Sequence, residues 1–165
     1  MRDVEDNAAP LNAVRPLLEQ SVEIAAAPSK VWELVSDVTR MPEWSDGVAS
    51  VRLRAGFDEV ALGTEFTNRN VLGELEWTTH GKVVAFEPEQ VLAFRIEENW
   101  AIWSFTLEPV GPGTRLTQRR ETPEGISELS HQLTDGFMGG QDVYTETLLA
   151  GMAGTLEAIK NAAEA

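Results

Sequence analysis

The chain has 165 residues, 42% of them hydrophobic, enough apolar material for one domain with one core. Its 27 acidic and 13 basic residues leave a formal charge of -14, which repels phosphate backbones and anionic headgroups; nucleic acid and membrane-surface partners are not expected. The lack of cysteine excludes disulfides, thiol nucleophiles and thiolate metal sites.

Residues 1–16 are polar, carry Pro10 and Pro16, and read as a loose N-terminal arm ahead of a single domain, 17–165. The first residues are acidic and lack the apolar run of a signal peptide. No apolar stretch approaches the ~20 residues needed to span a bilayer. The expectation is a cytoplasmic protein with no stable membrane insertion.

Leu18, Val22 and Ile24 mark a first strand over 17–25. Pro28 suits a first helical position, and Val31, Trp32, Leu34, Val35 and Val38 supply one face of a short helix, 28–37. Pro42 ends that pattern, and Met41 to Trp44 reads as a tight helical turn. Strand signals follow: Val48 to Arg54, Gly63 to Asn70, Leu75 to Phe86, the run through Leu92, Phe94 and Ile96, Ile102 to Glu108, and Arg115 to Thr122. Short turns join them, which points to an antiparallel meander. Ile126, Leu129 and Leu133 suggest a short helix before Gly136.

The last stretch, Gln141 to Ala163, carries the strongest pattern. Tyr144, Leu148, Met152, Leu156 and Ile159 fall on one helical face. A helix of about 23 residues is roughly 35 Å long, and only the strand-rich middle is wide enough to cover its stripe. Gly151 and Gly154 lie inside it, each costing about 1 kcal/mol relative to alanine. They imply either close approach of the helix to the sheet or room left for a ligand. The fold class is therefore α+β: a curved antiparallel sheet against a long helix, an arrangement that can enclose a cavity.

Several short motifs recur in a definite order. These are Ala27-Pro28-Ser29-Lys30-Val31-Trp32, Asp37, Met41-Pro42-Glu43-Trp44, Gly63-Thr64-Glu65-Phe66, Trp103-Ser104-Phe105-Thr106-Leu107-Glu108-Pro109 and Gly113-Thr114-Arg115-Leu116. Together, over about 21–162, they resemble the START-like (Bet v 1-like) superfamily, and within it the polyketide cyclase/dehydrase and lipid-transport branch. The resemblance implies a helix-grip fold, a seven-stranded sheet around the C-terminal helix with a deep pocket between. It also implies ligands such as lipids, polyketides or aromatic metabolites. It carries over no catalytic residue, and the fold alone does not choose an activity. The segment 126–140 is longer than the usual link to the last helix in such proteins and is a candidate lid.

Strand parity nominates the wall of that pocket. Phe66, Trp77, Phe94, Trp103 and Phe105 share the expected concave face, where aromatic rings suit a flat or apolar ligand; ordinary core is the alternative. Asn68, Gln118 and Arg120 lie on the same faces and would be buried polar groups in need of partners. If the parity slips at a bulge, Arg119 replaces Arg120 as the inward arginine. The expected ligand-binding set is Phe66, Asn68, Trp77, Trp103, Phe105, Gln118 and Arg120, closed by Tyr144 and Leu148. His80 and His131 are candidate general bases or plain surface residues. Two histidines without clustered acids predict no metal site, and no cofactor motif is present. The expected function is binding of a hydrophobic small molecule by a monomer or homodimer. The competing expectations are a polyketide aromatase/cyclase using the same pocket, with Arg120, Gln118, Tyr144 or His131 acting on carbonyls, and a protein-interaction module.

Overall fold

The computed structural model describes residues 14–165. The expected arm falls mostly outside them, and the first strand, β1, runs Leu17–Ile24. Helix α1 (Pro28–Val35) follows, opened by its proline. It is shorter than expected because Ser36 caps it and the chain tightens into a 3-10 helix, Val38–Glu43. The Asp37 side chain caps that turn by accepting from the Thr39 N–H. Six further strands make the meander: β2 (Val48–Leu53), β3 (Glu65–Leu72), β4 (Leu75–Glu87), β5 (Val91–Ile96), β6 (Ile102–Val110) and β7 (Gly113–Glu121). Two helices complete the chain, α2 (Glu128–Phe137) and α3 (Gln141–Glu164).

The seven strands form one sheet in the order β1-β7-β6-β5-β4-β3-β2, every pair antiparallel. This is the predicted α+β helix-grip arrangement. Two register shifts help curve it, at Val48/Ser50 in β2 and at Val83/Ala85 in β4. The β4 shift changes the inward parity. Trp77, Thr79, Gly81 and Val83 face the helices, whereas beyond the bulge Phe86, paired with Leu92, takes the inward place and Val84 is exposed.

Two apolar clusters fill the concave side. One joins β1, β6 and β7 to α1 and the end of α3 through Ile24, Val31, Leu116, Leu156 and Ile159. The other joins β2 to β5 through Val51, Phe66, Val83, Leu92 and Phe94. Trp32 packs against both and meets Phe86 edge-on at 5.3 Å. Trp44 is buried in the first cluster.

Helix α3 packs on β1, β7 and α1. Its C-terminal half is held by Leu156, Ile159 and Ala163 in the core and by Lys160, whose Nζ donates to the Glu23 carbonyl at 2.9 Å. The close-approach reading of the helix glycines fails. A β-carbon on Gly151 or Gly154 would meet nothing within 4 Å, so neither is required by packing.

Candidate ligand-binding site

The N-terminal half of α3 spans an open space above the sheet. The main cavity, of about 380 Å³, lies between β3, β4, β6, β7 and the helix. Trp77, Trp103, Gln118, Tyr144, Leu148 and Met152 are among its walls, and Gly151 opens onto it. A deeper extension of about 120 Å³ reaches Asn68, Thr79, Phe94 and Phe105. A third hollow, about 240 Å³, runs beneath α2 between Thr79, Asn99, Leu133, Thr134 and Met138. Trp77 and Tyr144 border all three, so the hollows adjoin.

The structure thus brings seven of the nine expected ligand-binding residues to cavity walls: Asn68, Trp77, Trp103, Phe105, Gln118, Tyr144 and Leu148. Phe66 and Arg120 line none of the three hollows. Phe66 is fully buried, edge-on to Phe94 at 5.2 Å, and fills the space above Gly81. Arg120 faces inward, as parity requires, and is 4% exposed. It pairs with Leu18 on one side and Trp103 on the other. Arg119 turns to the outer face, where its guanidinium donates to Glu19 and to the Thr106 hydroxyl.

The polar wall groups form a graded set. Asn68 and Asn70 both donate to the Thr79 hydroxyl, at 3.3 Å and 2.9 Å. Three buried polar atoms have no hydrogen-bond partner among the described residues: Asn68 Oδ1, Gln118 Oε1 and Gln141 Nε2. Two of them belong to cavity-lining side chains, and an unpaired buried polar group costs roughly 1–3 kcal/mol. Burial holds the Tyr144 phenol above its usual pKa, with the Arg120 charge pulling the other way. Burial equally lowers the pKa of Arg120, partly offset by Tyr144.

Neither histidine borders these hollows. His80 faces outward, its Nδ1 2.5 Å from Glu98 Oε2, and Glu98 Oε1 also accepts the His80 backbone N–H. Glu97 stands 3.9 Å away. Acids do cluster around His80, contrary to the sequence reading, because the β5–β6 turn folds back beside β4. Both Glu98 oxygens are engaged with the histidine.

The sequence reading missed Ser45, Gly47 and Val48 after the 3-10 helix, Leu72 and Gly73 at the β3–β4 hairpin, and Thr155 on α3. Ser45, Gly47 and Gly73 are loop residues without periodicity, Val48 lies across the β2 bulge from Val51, and Leu72 ends β3 on the parity of Phe66 and Asn68, a signal that would have placed it. Thr155 follows from its spacing of seven from Leu148 and three from Met152.

A family profile described as "Polyketide cyclase / dehydrase and lipid transport" matches residues 15–164. No curated protein matches the sequence. The solution structure of a polyketide-cyclase-like protein from Corynebacterium glutamicum is similar, with 29% identity, a TM-score of 0.58, and 88% of this chain and 90% of that one covered. The di-domain ARO/CYC StfQ from the steffimycin biosynthetic pathway shares the fold at 15% identity and a TM-score of 0.72. That match covers 93% of this chain but 51% of StfQ. Major latex-like protein 151 from Panax ginseng does so at 12% identity and a TM-score of 0.66, covering 89% and 96% of the two chains. No helix among the described residues is long and apolar enough to cross a membrane. With the helix-grip fold, the hollow beneath α3 and a family match over nearly the whole chain, this protein belongs to the polyketide cyclase/dehydrase and lipid-transport family.

Proposed function

We propose that residues 17–165 act as one unit that binds a hydrophobic small molecule between the sheet and the N-terminal half of α3. The observation that carries this reading is the main cavity, about 380 Å³, walled by Trp77, Trp103, Leu148 and Met152 with Gln118 and Tyr144 interspersed. A protein with no cargo gains from filling such a space, since each lost methylene-sized contact weakens the core. Apolar burial supplies most of the affinity, about 25 cal/mol per Å² less the cost of association. The orphaned Asn68 and Gln118 oxygens accept from ligand hydroxyl or N–H groups and fix its orientation.

A neutral fluorescent probe, phenylnaphthylamine, tests this directly. It should bind wild-type protein saturably, and Gly151→Leu should abolish binding by filling the cavity from an exposed helix position. Absence of saturable binding to wild type would remove the reading.

Polyketide cyclisation is the second reading. Gln118 on the sheet and Tyr144 on the helix face the hollow from opposite walls, where they would polarise carbonyls of a folded poly-β-ketone chain. In that case Tyr144→Phe lowers turnover more than binding, because its interaction strengthens only in the transition state. Ring products from a poly-β-ketone mimic, compared with a protein-free control, decide between the two.

A further inference from the structure

Arg120 stands apart from the other arginines of β7. Arg115 pairs with Glu23 and Glu108, and Arg119 with Glu19, all on the outer face. Elsewhere Arg40, Arg54, Arg69 and Arg95 each hold a glutamate. Arg120 is 4% exposed, and among the described residues no carboxylate stands within salt-bridge distance of it; its nitrogens are not among the fully buried unpaired atoms, so its head keeps a little open space beside it. A guanidinium is not deprotonated in proteins, and a buried charge without a partner is strongly penalised. The Tyr144 hydroxyl does not supply the missing charge. Burial keeps its phenol protonated above the ordinary pKa.

The position of Arg120 relative to the cavity is equally specific. Its cross-strand neighbour Trp103 and its electrostatic neighbour Tyr144 are both wall residues. One inward step along β7 is Gln118, also a wall residue and orphaned at Oε1. Arg120 thus faces the same side as wall residues on β7 and β6, although it borders none of the hollows itself.

We propose that the ligand is an apolar molecule carrying one carboxylate, and that Arg120 is its counter-ion. The inference rests on the cavity-binding reading above and adds the chemical class of the ligand. The apolar body occupies the hollow between Trp77, Trp103 and Leu148. The carboxylate turns the Tyr144 ring aside and meets the guanidinium fork, a geometry suited to two parallel N–H···O bonds.

The test uses the full chain with dansyl-undecanoic acid and its methyl ester, two probes that differ at one end alone, where the ester replaces the carboxylate charge with a methyl group. Near neutral pH, wild type should bind the acid about tenfold or more tightly than the ester. Arg120→Met should erase that difference while keeping the ester affinity, and Arg120→Lys should keep part of it. Equal affinities for the two probes in wild type overturn the assignment of Arg120 and leave the cavity reading standing. So does a preference for the acid that survives in Arg120→Met. Failure of acid, ester and phenylnaphthylamine alike overturns both readings. Thermal unfolding guards against a misfolded variant. Without ligand, Arg120→Met should melt at or above the wild-type temperature, since an unpaired buried charge is removed. The acid should raise the melting temperature of wild type more than that of Arg120→Met.

Discussion

A β-carbon added to Gly81 would stand 2.4 Å from the ring of Phe66, its partner across β3 and β4. Phe66 has no room to yield, being fully buried and edge-on to Phe94. Gly81→Ala should therefore cost about 1–3 kcal/mol through overpacking. A urea midpoint equal to that of wild type would show that the ring moves freely.

The glycines of α3 should respond in the opposite sense. Gly154 is exposed and a β-carbon there meets nothing. Gly154→Ala is expected to stabilise the protein by about 0.5–1 kcal/mol, with ligand affinity unchanged. Gly151→Ala should stabilise by a similar amount but reduce the affinity for bulky probes, because Gly151 opens on the cavity. Thermal melts paired with probe titrations separate the two effects, and identical titrations for both variants would count against the mapped cavity wall.

Trp32 ties the two apolar clusters together and meets Phe86 edge-on. Trp32→Ala should lose about 3 kcal/mol, the lower end for a core aromatic, because the ring is only partly buried. Urea denaturation measures it, and a loss under 1 kcal/mol would assign the ring to the surface.

Glu164 accepts from the Ala25 backbone N–H and from Lys160, and these bonds hold its carboxyl below the usual range. A lowered folded pKa means a contribution present above the unfolded carboxylate pKa of about 4.3 and lost as the pH falls through the lowered value. Glu164→Gln should thus lower the melting temperature slightly at neutral pH and not at all in strong acid. Melts of both proteins across that range check the sign; a gap that persists in acid would point to a cause other than charge.

Segment 126–140 covers the third hollow with α2. It is tied to the β5–β6 turn through the Ser127 hydroxyl, which donates to the Glu98 carbonyl. If it serves as a lid, saturation with phenylnaphthylamine should slow its amide exchange while β1 and β7 stay unchanged. Equal exchange with and without the probe would make it a fixed connector.

Much of this was legible in the sequence for a simple reason. Trp103, Phe105 and Leu107 alternate with polar residues along β6, so parity placed them on the concave face; on β7 parity nominated Gln118 and Arg120 but left Arg119 as the alternative inward arginine, which the structure turns outward. The five-residue stripe on α3 likewise matched a helix that buries Met152, Leu156 and Ile159. Parity gives a direction but no depth. Phe66 points the right way and still fills core, because the residue opposite it is a glycine whose missing side chain the ring replaces. Arg120 points the right way yet borders none of the hollows. Nor does parity survive a bulge, as β4 shows beyond Val83. The acids around His80 escaped notice because they come from a turn that is distant in sequence and adjacent in space.

Helix α3 is fixed over its second half by Leu156, Ile159, Ala163 and Lys160, while its first half roofs the hollow. Its far end is pinned as well, by the buried Gln141 and Thr145, and midway the Gln20 amide donates to the Leu149 carbonyl. A beam held at both ends bows most between its supports, so the girth of the proposed cargo would be limited by how far the span from Tyr144 to Thr155 can bow, not by the swing of a free end.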